Sequence, residues 1–347
     1  MLEDLSGVLK DTDILSNIKD AYTKEDGSIY TMPVKFGIPM IEGNKDIIAG
    51  ITDLTTEADA AESQKDSYGK LQFFSDFSIA PSYLIQGTID NSIPAWMNED
   101  GTLNENAVKE YLEQVNRIWQ TQKNAIEETK KAYQMGDDWA DSDHSGYMDI
   151  SGSVTSLLAK VDTVAAGGLL SPEGLVSLDS ARKVDPDLDY KLLNGQSENC
   201  FYPRSAVGVS AKASEKEAAE KFVKFLFEEE SQRASNTEGL AVNSKVYEDM
   251  AYWKMGKSSG DTIGSIGASY DTGDGNIKQI EMDEIIPEDE AIQNIMDLGK
   301  TLTVPAKSNQ IIRNAVTESG EKYLNGETGL DDAVKEIMQE VNLYLSE

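Results

Sequence analysis

Residues 200–232 constrain the fold more than any other stretch of the sequence, because they combine signals for a strand, a turn and a helix. Val207 and Val209 alternate with small or polar residues, which predicts a short buried strand over residues 205–210. Ser214 and Glu217 have the spacing of a capping box, which predicts the start of a helix. Apolar residues then recur at helical spacing and indicate one apolar face: Ala218, Ala219, Phe222, Val223, Phe225 and Leu226. A strand followed by an amphipathic helix is typical of α/β proteins.

The composition limits both the number of cores and the kinds of partner. The chain has 347 residues, of which 39% are apolar, and this suffices for one large core or two ordinary ones. Its net charge is −31, from 62 acidic and 31 basic residues. Such a charge repels phosphate backbones and anionic lipid headgroups, so nucleic acids and membrane surfaces are disfavoured as partners. We interpret the acidity as a solubility feature rather than as the mark of a cationic ligand.

The residue types that most often carry catalysis or bind metals are scarce. His144 is the only histidine and lies in a polar loop pattern, so few imidazole-dependent sites are open to this chain. Cys200 is the only cysteine, which excludes an intrachain disulfide. The turn at residues 96–107 has part of the calcium-loop spacing, but Trp96 and Ala107 stand at the first and last ligand positions. The sequence therefore predicts neither a metal site nor a cofactor.

Longer periodic segments predict further elements. Apolar residues at a period of 3.6 predict helices over residues 105–131 and 331–345, with Trp119 in the core of the first. Residues 190–193 predict a strand. Clusters of glycine, serine and proline indicate loops, the last of which we interpret as mobile or inserted: residues 165–168, 171–174 and 256–275.

Two extended segments contain prolines that discourage helix formation. Residues 29–41 include Pro33 and Pro39, and Tyr202-Pro203-Arg204 leads into the strand already described. Together with residues 238–243 and the C-terminal Tyr344-Leu345-Ser346-Glu347, these segments resemble, in their order along the chain, the carbohydrate-type extracellular solute-binding proteins of ABC importers. In that family the two extended segments are crossings between two lobes that enclose a ligand.

The resemblance implies a fold and its division. We expect an α/β, two-lobed periplasmic-binding-protein-like fold with hinge crossings. The implied boundaries place residues 1–36 and 205–300 in lobe 1, and residues 37–204 and 301–347 in lobe 2.

The resemblance also implies how the crossings are arranged. Residues 34–41 and 202–209 should run side by side as the hinge. The first crossing comes earlier in this sequence than in the family, so we expect an N-terminally truncated chain with an incomplete lobe 1. Exposed apolar side chains, such as those of Phe222 and Phe225, would then be observed.

The implied function is capture without chemistry. The family resemblance predicts binding of an extracellular solute, a sugar or oligosaccharide, in an interlobe cleft, and delivery to the permease subunits of an ABC importer. It further predicts a monomer without cofactors. The full-length protein would be extracellular and anchored to the membrane by a lipid.

Eight residues are the candidates for ligand contacts, and they come from segments that resemble the walls of the cleft: Phe36, Tyr83, Trp96, Trp139, Ser153, Tyr202, Arg204 and Asn309. Aromatic rings stack on the apolar faces of pyranose rings, and serine, asparagine and arginine bond to hydroxyls. Ser153 is chosen because residues 145–153 resemble a strand and glycine turn of the family. For Tyr83, Trp96 and Trp139 the alternative is a core role.

Two other functions remain open from the sequence. A carbohydrate-active enzyme would use paired carboxylates, but 62 acidic residues bring some pair to the required spacing in any fold. The early first crossing also allows a nonfunctional fragment of a binding protein.

Overall fold

A computed structural model describes residues 1–64, 81–132, 150–160, 163–234, 239–271, 277–307 and 309–345. The strands in these residues are β1 (Met32–Asn44), β2 (Val164–Leu170), β3 (Leu188–Leu192), β4 (Cys200–Val207), β5 (Leu240–Ala241), β6 (Thr262–Asp271), β7 (Ile277–Ile285) and β8 (Val304–Pro305). The helices are α1 (Ser16–Tyr22), α2 (Lys45–Ile48), α3 (Leu54–Gln64), α4 (Pro81–Ile89), α5 (Ile93–Trp96), α6 (Glu105–Ala132), α7 (Ile150–Ala159), α8 (Pro172–Val184), α9 (Lys216–Leu226), α10 (Glu229–Arg233), α11 (Ser244–Tyr247), α12 (Met250–Trp253), α13 (Asp289–Thr301), α14 (Gln310–Leu324) and α15 (Leu330–Leu345).

The long strand β1 organises the main sheet. Its first half pairs antiparallel with β4, in the register Phe36 opposite Pro203, and with β5. Its second half pairs antiparallel with β2 and β3, so that Met40 lies opposite Leu192. The short strand β8 adds to β4 in parallel. Residues 34–41 and 202–209 were predicted to run side by side, and the pairing of β1 with β4 confirms this.

Two hydrophobic cores lie along β1. The first core contains Met40 and is built largely from the N-terminal residues, α7–α9 and α11–α13. The second core contains Ile41 and is built from α3–α6, α14 and α15. Adjacent side chains on a strand point to opposite faces, so Met40 and Ile41 enter different cores. The α/β, two-lobed prediction is therefore confirmed.

Several predicted elements are present. The helix predicted over residues 105–131 is α6, and the one predicted over residues 331–345 is α15. Trp119 is buried in the second core, as its place in the periodic pattern predicted. No helix in the described ranges is both long and apolar enough to cross a bilayer.

The loops predicted at residues 165–168 and 171–174 are wrong. The first is part of β2, where small residues allow α7 and α8 to pack closely on the strand. The second begins α8, since the Ser171 hydroxyl accepts from the Gly174 N–H at 3.0 Å and Pro172 fills the first turn. A cluster of glycine or proline has the same composition whether it lies in a loop, in a strand or at the start of a helix.

The predicted loop over residues 256–275 is wrong for residues 262–271, which form β6 and pair antiparallel with β7. Along β7, exposed residues alternate with residues that face inward, and Met282 is buried in the first core. Strand β6 was not predicted, because its many small residues give no clear alternation of apolar and polar side chains.

Helix α9 does not begin as predicted, but its apolar side chains are exposed as predicted. The predicted capping box of Ser214 does not form, because Glu215 takes the N-cap position without a side-chain hydrogen bond. Val223 is buried, whereas Phe222 and Phe225 are 58% and 49% exposed. The predicted exposure of this apolar face is therefore observed.

Candidate functional site

The crossing strands bring three of the predicted ligand residues together. In the pairing of β1 with β4, Lys35 lies opposite Arg204, Phe36 opposite Pro203 and Gly37 opposite Tyr202. The alternation of the strands separates these residues onto two faces. Phe36 points to one face, and Tyr202 and Arg204 share the other.

The face of Phe36 is part of the first core. Its side chain has no exposed surface, and its ring lies 6.2 Å from that of Phe201 and 5.6 Å from that of Tyr247, measured between centroids. Such aromatic packing stabilises a core. A buried ring with two aromatic neighbours offers no open face to a solute in this conformation.

The opposite face is closely packed at Gly37. A Cβ atom there would lie 3.0 Å from the Leu169 side chain of β2, so a larger residue would disturb the contact between the strands. Tyr202 is 4% exposed and Arg204 is partly exposed. The crossing therefore presents a polar group, Arg204, beside a nearly covered aromatic ring.

An ion pair lies between the residue that follows α4 and the first turn of α14. Arg313 Nη1 is 2.8 Å from Asp90 Oδ2, and their side chains are 19% and 2% exposed. The Lys307 N–H, just after β8, donates to the Asp90 carbonyl at 3.0 Å. This pair fixes the first turn of α14 against the end of α4.

The predicted ligand residue Asn309 begins that same helix. Its side-chain oxygen accepts from the N–H groups of Ile311 at 3.0 Å and Ile312 at 3.2 Å, so it is the N-cap of α14. Sequence reasoning found Asn309 but missed Asp90 and Arg313. An arginine four residues after an N-cap asparagine was the available signal, but its buried partner lies far away in sequence.

Trp96 has a core position. Its side chain is fully buried in the second core, with its ring 5.0 Å from that of Tyr111, and its indole N–H donates to the Gln196 side chain. The structure therefore leaves no ring face of Trp96 for a solute.

The side chains of three predicted ligand residues lie outside the described part of the structure. The backbone of Tyr83 belongs to α4, but its side chain lies outside the described part of the structure. Trp139 lies outside the described residues altogether. Ser153 was predicted to lie at the glycine turn that ends residues 145–153, which is wrong because it belongs to α7; its side chain is likewise not described.

A groove of about 780 Å³ lies on the Phe36 side of the sheet, between α8 and β3 on one wall and α13 on the other. Among the predicted residues whose side chains the structure describes, none lines this groove. In its first wall, the Arg182 guanidinium lies 5.1 Å from the centroid of the Tyr190 ring and 3.4 Å from Asp189. Glu288 and Glu290 of α13 lie on the opposite wall. The groove has an aromatic ring, charged groups of both signs and an apolar floor that includes Met40 and Ile295.

The side chains of these regions do not resemble a metal centre. Within the described ranges, no group of three or more histidine, cysteine, aspartate or glutamate residues has the spacing to hold a metal ion. Burial raises the pKa of the Cys200 thiol to about 12, so Cys200 is not a reactive thiolate.

A family comparison identifies the class of protein. The model of the family described as bacterial extracellular solute-binding protein matches residues 1–258. The chain belongs to this family. This solute-binding protein has no match among curated proteins.

Solved structures of other solute-binding proteins share the fold. A Streptococcus pneumoniae protein in complex with the blood group A-trisaccharide is 15% identical, with a TM-score of 0.51, over 100% of this chain and 79% of that one. A Listeria monocytogenes protein in complex with cycloalternan is 16% identical, with a TM-score of 0.52, over 100% and 80% of the two chains. A cyclic α-maltosyl-1,6-maltose binding protein from Arthrobacter globiformis is 16% identical, with a TM-score of 0.51, over 99% and 80%.

Membership in this family makes the protein a binding protein of a class described as extracellular. The two cores and the paired crossings provide the architecture in which such proteins hold a solute between lobes.

Proposed function

We propose that this protein is the solute-binding component of an ABC import system. It captures an extracellular sugar or oligosaccharide between its two lobes and delivers it to a membrane permease. The observation that carries this proposal is the continuous strand β1, which pairs with β4 at one end and with β2 and β3 at the other. Paired strands that connect two cores can absorb a rotation of one core against the other, as in hinge closure around a ligand.

The proposal of a sugar rests on chemistry and on relatives. Of the three structural relatives described above, one is in complex with the blood group A-trisaccharide, one is in complex with cycloalternan, and one is a cyclic α-maltosyl-1,6-maltose binding protein. A saccharide needs aromatic faces and hydrogen-bonding groups, and the candidates near the crossings are Tyr202, Arg204, Asn309 and Arg313. Tyr83, Trp139 and Ser153 remain predicted contacts. Phe36 and Trp96 are left out because they are fully buried.

The cellular setting is part of the same proposal. The protein would work outside the cell as a monomer, held to the membrane by a lipid in its full-length form. Its partners would be the permease subunits of the importer. The division into lobes at residues 36/37, 204/205 and 300/301 stays a prediction.

Calorimetric titration with a panel of neutral mono- and oligosaccharides tests the function. We expect at least one sugar to bind and to raise the melting temperature, because a ligand that binds only the folded state stabilises it. Chromatography of the same mixture should recover the sugar intact. A hydrolysed sugar would favour the carbohydrate-active enzyme instead, and binding of an amino acid or peptide but no sugar would overturn the choice of solute.

Variants at the crossing connect binding to the proposed site. Tyr202→Phe keeps the ring and removes its hydroxyl, and Arg204→Gln removes the charge from the same face. We expect weaker sugar binding, by about tenfold for each lost hydrogen bond to a solute hydroxyl. Tyr30→Phe is the matched control, since Tyr30 is 39% exposed before the crossing begins. Unchanged affinity in both crossing variants would move the binding site elsewhere.

A further inference from the structure

The paired strands β6 and β7 form a ribbon whose two ends lie in the first core. Trp253, shortly before the ribbon, and Ile292, shortly after it, are both buried there. The base of the ribbon is closed by two backbone hydrogen bonds: the Gly260 N–H donates to Ile286 O at 3.0 Å, and the Ile286 N–H donates to Asp261 O at 2.9 Å. The ribbon is therefore fixed at its base to the body that carries α13.

The inward face of the ribbon is bonded to α8. The Ser177 hydroxyl donates to Glu284 Oε1 at 2.7 Å, and the Ile285 N–H donates to the Ser180 hydroxyl at 2.9 Å. Ser177 and Ser180 are 1% exposed, so these bonds are shielded from water. Hydrogen bonds in such surroundings are costly to break without replacement.

The ribbon is also bonded to α7. The Tyr270 and Thr155 hydroxyls are 2.7 Å apart, and Lys278 Nζ donates to the carbonyl of Ala159 at 3.0 Å. Ala159 is the last residue of α7, where unpaired carbonyls and the helix dipole favour a cation. Met282 fills the space between the ribbon and the helices and is 2% exposed.

These contacts connect the two walls of the groove. Glu284 and Ile285 end β7, and two residues separate Ile285 from Glu288, the N-cap residue of α13. Asp179 and Arg182, on the other wall, belong to the same helix as Ser177 and Ser180. A bond between α8 and the end of β7 thus fixes the start of α13 at one distance from α8.

We propose that the β6–β7 ribbon is an intramolecular strap that sets the width of the groove between α8 and α13. While the serine bonds hold, the two walls move together. When they break, the start of α13 is no longer held to α8 through the end of β7, and the groove between the two helices widens.

Helices α8 and α13 and the ribbon residue Met282 all belong to the first core, so the strap acts within that core. Any effect of the groove width on solute affinity rests on the proposed function. The width of the groove is a property of the protein alone. It can be measured whether or not a solute binds.

Spin labels on the two walls test the proposal. Val184→Cys at the end of α8 and Gln293→Cys on α13 place labels at exposed positions, and the native Cys200 is fully buried. In this labelled protein, Ser177→Ala with Ser180→Ala removes the hydroxyls that hold the strap. We expect a longer and broader distance distribution. We also expect amide exchange at Ile285 to be at least about tenfold faster, because its N–H loses its acceptor.

The matched control is Ser265→Ala with Ser269→Ala, which removes two hydroxyls from the exposed face of the same ribbon. It should leave both the distance distribution and the exchange unchanged. An unchanged distance between the two labels in the buried-serine variant, or an equal change in the exposed-serine control, would overturn the proposal.

A milder variant covers the case in which the double change unfolds the protein. Tyr270→Phe removes only the hydroxyl at Thr155 and should broaden the distance distribution to a smaller extent. A protein whose strap variants behave as expected but which binds no sugar would refute the proposed solute and leave the strap intact. The opposite result would refute the strap alone.

Discussion

The ammonium group of Lys35 donates to the backbone carbonyl of Gln232, although Lys35 lies near the start of β1 and is only 4% exposed. The same Nζ atom lies 6.0 Å from the centroid of the Tyr252 ring. A buried cation is costly unless it is hydrogen-bonded, so this contact fixes the crossing strand against α10. The residue that accepts from Lys35, Gln232, has a fully buried side chain of its own.

Replacement of Gln232 by leucine should strongly destabilise the protein. The Gln232 amide bonds to four backbone groups: the carbonyls of Val34 and Leu226, and the N–H groups of Val242 and Asn243. Leucine has a similar volume but leaves these groups without their partner, at about 1 to 3 kcal/mol each. We expect the free energy of unfolding, measured in urea, to fall by at least about 3 kcal/mol.

Gln293→Leu is the control for that change. Gln293 is exposed on α13, and its amide donates to Asp297, one turn further along the helix. Its replacement should alter the free energy of unfolding by less than about 0.5 kcal/mol. Equal effects of the two variants would show that the buried network contributes little.

Glu57 should make the stability depend on pH. It is 1% exposed, and burial, with a smaller contribution from Asp53, raises its pKa from 4.5 to about 8. Between these values the folded protein holds a proton that the unfolded chain releases. The free energy of unfolding therefore falls as the pH rises, by up to about 1.4 kcal/mol per pH unit.

Glu57→Gln should remove this contribution, because glutamine cannot ionise. Denaturant unfolding across the range from about pH 5 to 8 should show the variant gaining stability relative to the parent as the pH rises. Glu110→Gln, at an exposed position on α6, should run parallel to the parent. If the free energy of unfolding of the Glu57 variant also changes with pH in parallel with the parent, the raised pKa of Glu57 is contradicted.

Gly299→Ala should destabilise the first core. A Cβ atom at Gly299 would lie 2.0 Å from the Tyr247 hydroxyl, which donates to the carbonyls of Ile295 and Met296 at 3.3 Å. The tyrosine must then leave its hydrogen bonds, and we expect a loss of about 2 kcal/mol or more in thermal unfolding. Gly87→Ala on α4 is the matched control, since nothing lies within 4 Å of its Cβ position. That variant should be slightly more stable, because alanine favours helix.

Arg313→Met should leave Asp90 as a buried charge without its ion-pair partner. Removing one member of a fully buried pair typically costs about 3 to 5 kcal/mol. Because the Arg313 side chain is 19% exposed, we expect a smaller loss in the free energy of unfolding, of about 2 kcal/mol. Adding Asp90→Asn removes the charge and should recover part of the loss. Lys322→Met breaks a pair with Glu336 in which both side chains are about half exposed, and it should cost less than about 1 kcal/mol.

The sequence predicted the elements whose signals are local. Helices α6 and α15 follow from period 3.6, and the paired crossings follow from the family order of extended segments. Elements made of small residues were missed: Gly167 and Gly168 lie inside β2, and Gly264 and Gly267 inside β6. Their strand conformation depends on partners distant in sequence, which a local pattern does not contain.

The candidate site was predicted less well for the same reason. Tyr202 and Arg204 were placed correctly on the crossing, because the crossing itself was recognised. An aromatic residue in an apolar helix gives the same local pattern whether it faces a solute or a core, and Trp96 proved to be buried. Asp90 and Arg313 meet across more than two hundred residues, so neither pattern alone identified the pair.

The neighbouring side chains of Met40 and Ile41 also determine how the molecule comes apart. Both lobes include part of the uninterrupted strand β1, so neither lobe contains a complete sheet by itself. Cutting the gene at the boundary between the lobes would deprive one product of its central strand. The two halves should therefore lose protection against hydrogen exchange in a single cooperative event, even though their hydrophobic interiors are separate.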